Sequence, residues 1–366
     1  MPGLQVLILY NLPTAKQVKG KPQDSISEAG VLHAVEAVAS ALADLGAEPD
    51  TFGVGLHTRT LLARLSRRRP AIVFNLCEGL GGEASFEYLI PGLLEAEGIP
   101  YTGSGPAALI TCLDKVRTKQ ILAHHGIPTP AFRVFAQGEA VVADGSLEFP
   151  LIVKPAHEDA SLGIEPASVV TSEQALRERI AFVHGLYRQP ALVERYVDGR
   201  EFNVSVLGNS PPRSLPLAEI DFGGLPQEHP RICSYEAKWI EDSPIYTGTP
   251  SVCPAPGVPG ELALEIAAIA RRAYALLGCR DYGRVDIRVG ASGTPQVLEV
   301  NPNPDLTPDA GLTKAAVADG LGYRGLVQSI LESALERHRT FETRHHARGA
   351  MGRQPIAATR AEPYAP

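Results

Sequence analysis

The chain has 366 residues, 44% of them hydrophobic and 20% charged, and a formal net charge of −7. That length accommodates two or three domains with a large core, and the composition is that of a soluble globular protein. The acidic balance argues against nucleic acid as the main partner, since such surfaces are basic, and leaves room for a local basic groove that takes a small anion.

Met1-Pro2-Gly3-Leu4-Gln5 runs straight into an apolar strand over 4–10, with no basic stretch and no small-residue cleavage site, so no signal peptide is expected. No apolar run approaches the roughly 20 residues of a membrane span, and no membrane association is expected. Cys77, Cys112, Cys233, Cys253 and Cys279 are scattered, odd in number and form no CxxC pair. They read as reduced thiols of a cytoplasmic protein rather than a disulfide framework or zinc site.

Hydrophobic periodicity places a helix over 27–46, through Val31, Val35, Val38, Ala39 and Leu42. Residues 71–76 form a second buried strand, followed by a Gly-rich turn over 78–83 and a helix to about Glu97. This alternation predicts an open, mostly parallel α/β sheet. A helix near 113–125 ends in His124-His125-Gly126-Ile127-Pro128. Beyond it the pattern changes to short strands at 151–154 and 191–194 around a helix at 172–184, opened by Thr171-Ser172-Glu173-Gln174. Further strands are predicted at 201–207, 216–221 and 283–300, with an amphipathic helix over about 260–277. The expected organisation is an N-terminal α/β domain over 1–112, a small α+β domain over 113–205, a mixed domain over 206–335 and a flexible tail over 336–366.

The most informative segment lies late in the chain. Gly283-Arg284-Val285-Asp286 and Leu298-Glu299-Val300-Asn301 read as strands joined by the turn residues 290–295. Side chains alternate along a strand, so Arg284 shares a face with Asp286, and Glu299 with Asn301. A hairpin gathers Asp286, Glu299 and Asn301 with Arg284 beside them. Three oxygen ligands without His or Cys suit Mg²⁺, which binds one or two carboxylates together with substrate phosphates. The pattern points to metal-assisted phosphate chemistry; by itself it also fits a surface hairpin with solvated charges.

Lys154 ends an apolar strand before the polar loop 157–164, whose small residues let backbone N–H groups approach an anion. Glu194-Arg195-Tyr196-Val197 leaves another strand, with Glu201 soon after. Such a hinge can offer backbone hydrogen bonds to a purine edge and a carboxylate to a ribose diol. Lys238, in Ser234-Tyr235-Glu236-Ala237-Lys238-Trp239, is a further candidate phosphate contact. Each feature alone fits an ordinary surface turn or strand end; their order and joint occurrence carry the reading.

In that order, Asp114-Lys115-Val116-Arg117-Thr118-Lys119, Leu151-Ile152-Val153-Lys154-Pro155, Glu194 with Glu201, Tyr235-Glu236-Ala237-Lys238, Gly283-Arg284-Val285-Asp286 and Glu299-Val300-Asn301 resemble the ATP-grasp superfamily. Within it the chain is similar to D-alanine–D-alanine ligases. Tyr101-Thr102-Gly103-Ser104-Gly105 and Leu277-Gly278-Cys279 add to the likeness, which spans about residues 70–335. The resemblance implies a three-domain ATP-grasp fold, α/β and α+β, with an open parallel α/β domain first. It implies ATP, two Mg²⁺ ions (with Mn²⁺ as an alternative), small-molecule amino-acid or carboxylate substrates, and a homodimer through the N-terminal domain.

By the same resemblance, Lys115 and Lys154 would bind ATP phosphates, with Lys238 near the γ-phosphate. Glu194 would meet the adenine amino group, the Val197 backbone the adenine edge, and Glu201 the ribose. Asp286, Glu299 and Asn301 would hold the metal ions. Arg284 would stabilise charge developing on the substrate carboxylate, and Ser161 and Gly163 would lie in the loop closing over the phosphates. The implied reaction forms a peptide bond through an acyl phosphate, which relies on cations rather than a protein nucleophile.

Departures from the family cluster on the amino-acid side. Tyr10-Asn11-Leu12-Pro13-Thr14 and the Lys-rich stretch to Lys21 replace the family's Gly-Gly-x-Ser turn and the Glu after it. Glu78 stands where the family has His, Ala156 where a Ser follows Lys-Pro, and Trp239 where it has Tyr or Phe. Pro302-Asn303-Pro304-Asp305-Leu306-Thr307 replaces Thr-x-Pro-Gly-Met-Thr, and a later substrate-binding Ser is Ala310. A Glu–Tyr–Ser hydrogen-bond set that orders the first substrate is thus missing as a whole. We expect an altered substrate carrying an extra amine or guanidinium near Glu78, unless Glu78 only caps a turn or pairs with a Lys. D-Alanyl-D-alanine and a different dipeptide or peptide-like metabolite are both open as products. A nucleotide-binding protein without ligase activity is the reading from another class, and the intact Arg284, Asp286, Glu299 and Asn301 speak against it.

Overall fold

The structure, a computed structural model, describes residues 1–13, 21, 30–141, 145 and 148–351, and for 341–351 the backbone alone. The apolar run of β1 (Gln5–Asn11) demands cover on both faces. It pairs in parallel with β2 (Glu48–Val54) and β3 (Ile72–Leu76), in the order β2-β1-β3. Alternate residues of β1 divide between two cores. Val6 and Ile8 meet Val31, Ala34, Val35, Val38, Ala41 and Leu42, the apolar stripe of α1 (Val31–Asp44). Leu7 and Leu9 meet Leu61 and Leu65 of α2 (Arg59–Arg67) and Ile90 and Leu94 of α3 (Leu89–Ala96). The parallel α/β sheet expected at the N-terminus is present. Residues 27–29 of the expected first helix, and 14–20 of the Lys-rich stretch, lie outside the described residues.

The helix expected near 113–125 is present over Lys115–His124, and a separate helix precedes it. α4 (Pro106–Leu113) stops at Asp114, which has extended backbone and accepts from the Arg117 N–H at 3.0 Å. This N-cap starts α5 (Lys115–His124) and fixes Lys115 at its first position.

A second sheet is antiparallel, in the order β4-β7-β5-β6, from β4 (Phe132–Phe135), β5 (Leu151–Pro155), β6 (Val169–Val170) and β7 (Ala191–Arg195). α6 (Glu173–Leu186) is capped by Ser172, and its Leu176, Ile180 and Val183 are buried against Leu151, Val153 and Val193. Between Arg195 and Gly199 the chain crosses to a third sheet, also antiparallel, of β8 (Gly199–Leu207), β9 (Arg213–Ser214), β10 (Ala218–Ile220), β11 (Ser251–Val252), β12 (Tyr282–Gly290) and β13 (Pro295–Asn301). Its order is β11-β10-β8-β12-β13, with β9 on β8. Two short helices, α7 (Tyr235–Trp239) and α8 (Pro244–Thr247), precede β11; α9 (Gly260–Leu276) packs Ile266, Ile269, Ala270 and Ala273 on this sheet.

After α10 (Gly311–Ala318), α11 (Gly322–Met351) returns to the first sheet, where Leu326, Val327, Ile330 and Leu331 join the α1 core. The expected flexible tail from 336 is therefore corrected over its first residues. Arg337 Nη2 lies 2.8 Å from Asp281 Oδ2, and the Tyr101 N–H donates to His338 Nε2 at 3.1 Å. Buried Asp281 also accepts from the Gly103 N–H (2.8 Å) and Asn209 Nδ2 (2.9 Å), so one carboxylate ties α11 to two other segments. Residues 352–366 lie outside the described residues. All five cysteines are free thiols. Among the described residues no helix is long and apolar enough to cross a membrane.

Candidate active site

A cavity of about 1560 Å³ opens between the second and third sheets, walled at one end by the turns after β3 and β13. It exceeds the roughly 300–1,000 Å³ of a drug-sized ligand site and has room for more than one substrate.

The third-sheet wall follows from strand register. Arg284 stands opposite Asn301 and Asp286 opposite Glu299, with the register shifting only beyond Asp286. On the other side, Arg284, Asp286 and Arg288 face Ser205, Asn203 and Glu201 of β8. Arg284 grips Asp286 with both arms, Nε to Oδ1 at 2.7 Å and Nη2 to Oδ2 at 2.9 Å. Asn203 and Asn301 donate to the same carboxylate at 2.8 and 3.2 Å.

Glu299 Oε2 lies 3.1 Å from Lys115 Nζ, which also donates to the Glu158 carbonyl (2.6 Å) and to Asp159 (3.2 Å). Burial alone would raise the Glu299 carboxyl; Lys115, then Lys154 and Arg284, overcome it and hold the group well below the usual carboxylate range. Asp286, Glu299 and Asn301 thus form an oxygen-only set with an ionised carboxylate among cations, a set that could hold a hard divalent cation and is unsuited to zinc.

The second-sheet wall centres on Glu194, which is 1% exposed. Its Oε1 is 2.6 Å from Lys119 Nζ and its Oε2 is 2.7 Å from Lys154 Nζ. Burial raises this carboxyl, and the two ammonium groups more than reverse the effect. Fully buried Lys119 is depressed, chiefly by desolvation, and donates also to Thr129 Oγ1 at 2.6 Å.

Loop 157–164 forms the cover. Ala160, Ser161 and Gly163 have φ of 54°, 60° and 74°. Ser161 Oγ donates to the Cys233 carbonyl and Trp239 Nε1 to the Ala160 carbonyl, each at 2.9 Å. The Tyr235 N–H donates to the Ile164 carbonyl at 2.9 Å. Trp239 therefore links α7 to the loop. Lys238 lines the cavity with its ammonium 5.0 Å from the Trp239 ring centre.

At the far end the wall is acidic. Asn303 donates to Glu87 Oε1 (2.9 Å) and to the Cys77 carbonyl (3.0 Å). Burial pushes the Glu87 carboxyl up to about 8 against that hydrogen bond. Glu78 is open to the cavity, but the cavity wall withdraws it from bulk water; this and Asp305 push it up to about 7.

The structure thus brings Lys115, Lys154, Ser161, Glu194, Val197, Glu201, Lys238, Arg284, Asp286, Glu299 and Asn301 to one cavity. Gly163 does not line it and instead turns the loop behind the wall: a Cβ there would lie 2.6 Å from Pro155 Cγ. Sequence reasoning missed Arg288, Lys119 and Glu87. Arg288 continues the two-residue alternation of Arg284 and Asp286, and Lys119 lies one helical turn beyond Lys115, so both carried a signal. Glu87 carried none.

Residues 121–332 match the family model described as D-ala D-ala ligase C-terminus. The D-alanine–D-alanine ligase of Moorella thermoacetica is 35% identical over 308 residues, 82% of this chain and 93% of that protein. An uncharacterized protein of Sinorhizobium fredii, y4sG, is 36% identical over 271 residues, 74% of this chain and 76% of its own length. The crystal structure of a Bacillus anthracis D-alanine–D-alanine ligase complexed with ATP matches the fold with a TM-score of 0.72 at 22% identity, covering 92% of this chain and 99% of that one.

Proposed function

The chain belongs to the D-alanine–D-alanine ligase family, and from that membership and the cavity we propose that it is an ATP-dependent ligase joining a carboxylate to an amine, with release of ADP and phosphate. The observation that supports this reading is the convergence of Lys115, Lys154, Lys238 and Arg284 with Asp286, Glu299 and Asn301 on one cavity.

In this reading ATP lies across the cavity. Glu194 and the Val197 backbone meet the adenine, Glu201 the ribose, and Lys115, Lys154 and Lys238 the phosphates. An oxygen of the first substrate's carboxylate attacks the γ-phosphorus, the bond to the bridging oxygen breaks, and ADP departs. The amine of the second substrate attacks the acyl carbon and loses a proton; the C–O bond to phosphate then breaks. Arg284 stabilises charge on the reacting carboxylate. Asp286, Glu299 and Asn301 would hold two Mg²⁺ ions, which neutralise phosphate oxygens when bound. Loop 157–164, with Ser161, keeps water from the acyl phosphate. On the same family likeness we take the protein to be a cytoplasmic homodimer.

Trapping tests the intermediate. With ATP, Mg²⁺ and pooled amino acids, hydroxylamine should yield a hydroxamate that forms only when ATP is present. ADP formation without hydroxamate contradicts an acyl phosphate.

The acidic end favours a second reading of the substrate. Glu78, Glu87 and Asp305 line the end away from the hinge, and an added positive charge on the substrate would be met there. A dipeptide other than D-alanyl-D-alanine then becomes the product. An unchanged substrate preference in Glu78→Gln contradicts this reading.

A further inference from the structure

Arg288 is a buried cation that the reaction above leaves unused. Its Nε and Nη2 reach Glu201 Oε2 at 2.8 and 2.7 Å. Nη1 donates to the Val197 carbonyl at 2.8 Å, and Nη2 donates also to the Arg231 carbonyl. The guanidinium lies 5.5 and 5.4 Å from the ring centres of Tyr196 and Phe222. Arg288 is 3% and Glu201 7% exposed, so this is no solvated surface pair. One side chain ties β8, the hinge at 196–198 and the segment before α7. Both bonds to Glu201 fall on Oε2, and among the described residues no hydrogen bond engages Oε1.

We propose that Arg288 is the positioning residue of the nucleoside site: it locks Glu201 and the hinge into one unit, so that Glu201 Oε1 is presented to the ribose hydroxyls. The proposal rests on the ATP reading above. A glutamate left free would have to lose rotamer freedom as the nucleotide bound; fixed beforehand, it spares the ligand that loss. Lysine cannot replace the planar fork that holds carboxylate and carbonyl together. The phosphate-contacting groups sit on other positions, so Arg288 acts on nucleotide affinity and not on the transfer step.

The test compares binding of ADP with 2′-deoxy-ADP and 3′-deoxy-ADP, by calorimetry on the full chain, in wild type, Arg288→Lys and Arg288→Met. Arg288→Gln, which keeps amide N–H donors for the Glu201 carboxylate but cannot span to the Val197 carbonyl, carries the test should the Met variant fold poorly. Wild type should prefer ADP over at least one deoxy form by roughly ten- to a hundredfold, the worth of a hydrogen bond to a charged group. In every variant that preference should fall toward one, with affinity for the deoxy form little changed. KM for ATP should rise while kcat is kept within a few-fold. A purely structural role would weaken all three ligands alike. A wild-type preference near one, or a preference unchanged in Arg288→Lys and Arg288→Gln, overturns the proposal alone. Failure of wild type to bind ADP overturns the nucleotide reading, and this proposal with it.

Discussion

Arg284 folds back on Asp286, two residues along the same strand, and occupies both oxygens of its carboxylate at 2.7 and 2.9 Å. Charge-assisted, bidentate pairing of this kind is strong and directional. A divalent cation held at Asp286 would compete with that guanidinium for the carboxylate and would free it for a substrate carboxylate. Arg284→Ala should therefore bind Mn²⁺ more tightly than wild type, read by electron paramagnetic resonance, while kcat drops by about 10²–10³. Equal or weaker Mn²⁺ binding contradicts the competition.

Glu194 is held between two lysines, one of them fully buried. Removing the carboxylate strands two ammonium groups in the interior. Glu194→Ala should lose about 3–5 kcal/mol of stability in urea titrations, the cost of breaking a buried ion pair from one side. A loss within the range of an exposed pair would show that water reaches the lysines.

Glu87 makes stability depend on pH. Its carboxyl rises from an ordinary 4.5 to about 8 in the fold. Between those values the folded state binds more protons than the unfolded state, so this group's contribution falls as pH rises from about 4.5 through about 8. Glu87→Gln can still accept from Asn303 and lacks that fall. Near pH 9 it should be more stable than wild type by a few kcal/mol, at about 1.4 kcal/mol per pH unit crossed. Near pH 4 the difference should vanish. Parallel stability curves for the two proteins contradict this account.

Gly163 has a φ of 74°, and a Cβ would lie 2.6 Å from Pro155 Cγ and 3.0 Å from Tyr187 Cε2. Gly163→Ala should cost about 1 kcal/mol or more and displace the covering loop, lowering kcat/KM. Thermal melts and steady-state kinetics check this together; unchanged values for both refute the role of that turn.

The hairpin was legible because alternation fixes which side chains share a face, and the register shift falls beyond Asp286, where it disturbs none of Arg284, Asp286, Glu299 and Asn301. The first strand was legible from its apolar run. Its neighbour β2 was not: exposed Glu48, Asp50 and Thr51 leave an edge strand with no apolar signature. The helix after Asp114 was legible near its true bounds, but that Asp114 caps it depends on the extended backbone this residue adopts, and the preceding helix over Pro106–Leu113 went unread. The Lys119–Glu194 pair joins residues from a helix and a distant strand, a contact no local period encodes. The helix over 322–351 was hidden by its charged residues, although Arg337 is tied to Asp281.

The most direct test is mass spectrometry of the products from ATP, Mg²⁺ and pooled D- and L-amino acids, with Asp286→Ala/Glu299→Ala as control. The account predicts an ATP-dependent product whose mass equals two substrates less water, absent from the control. ATP consumption at the same rate in both proteins, with no condensed product in either, contradicts it.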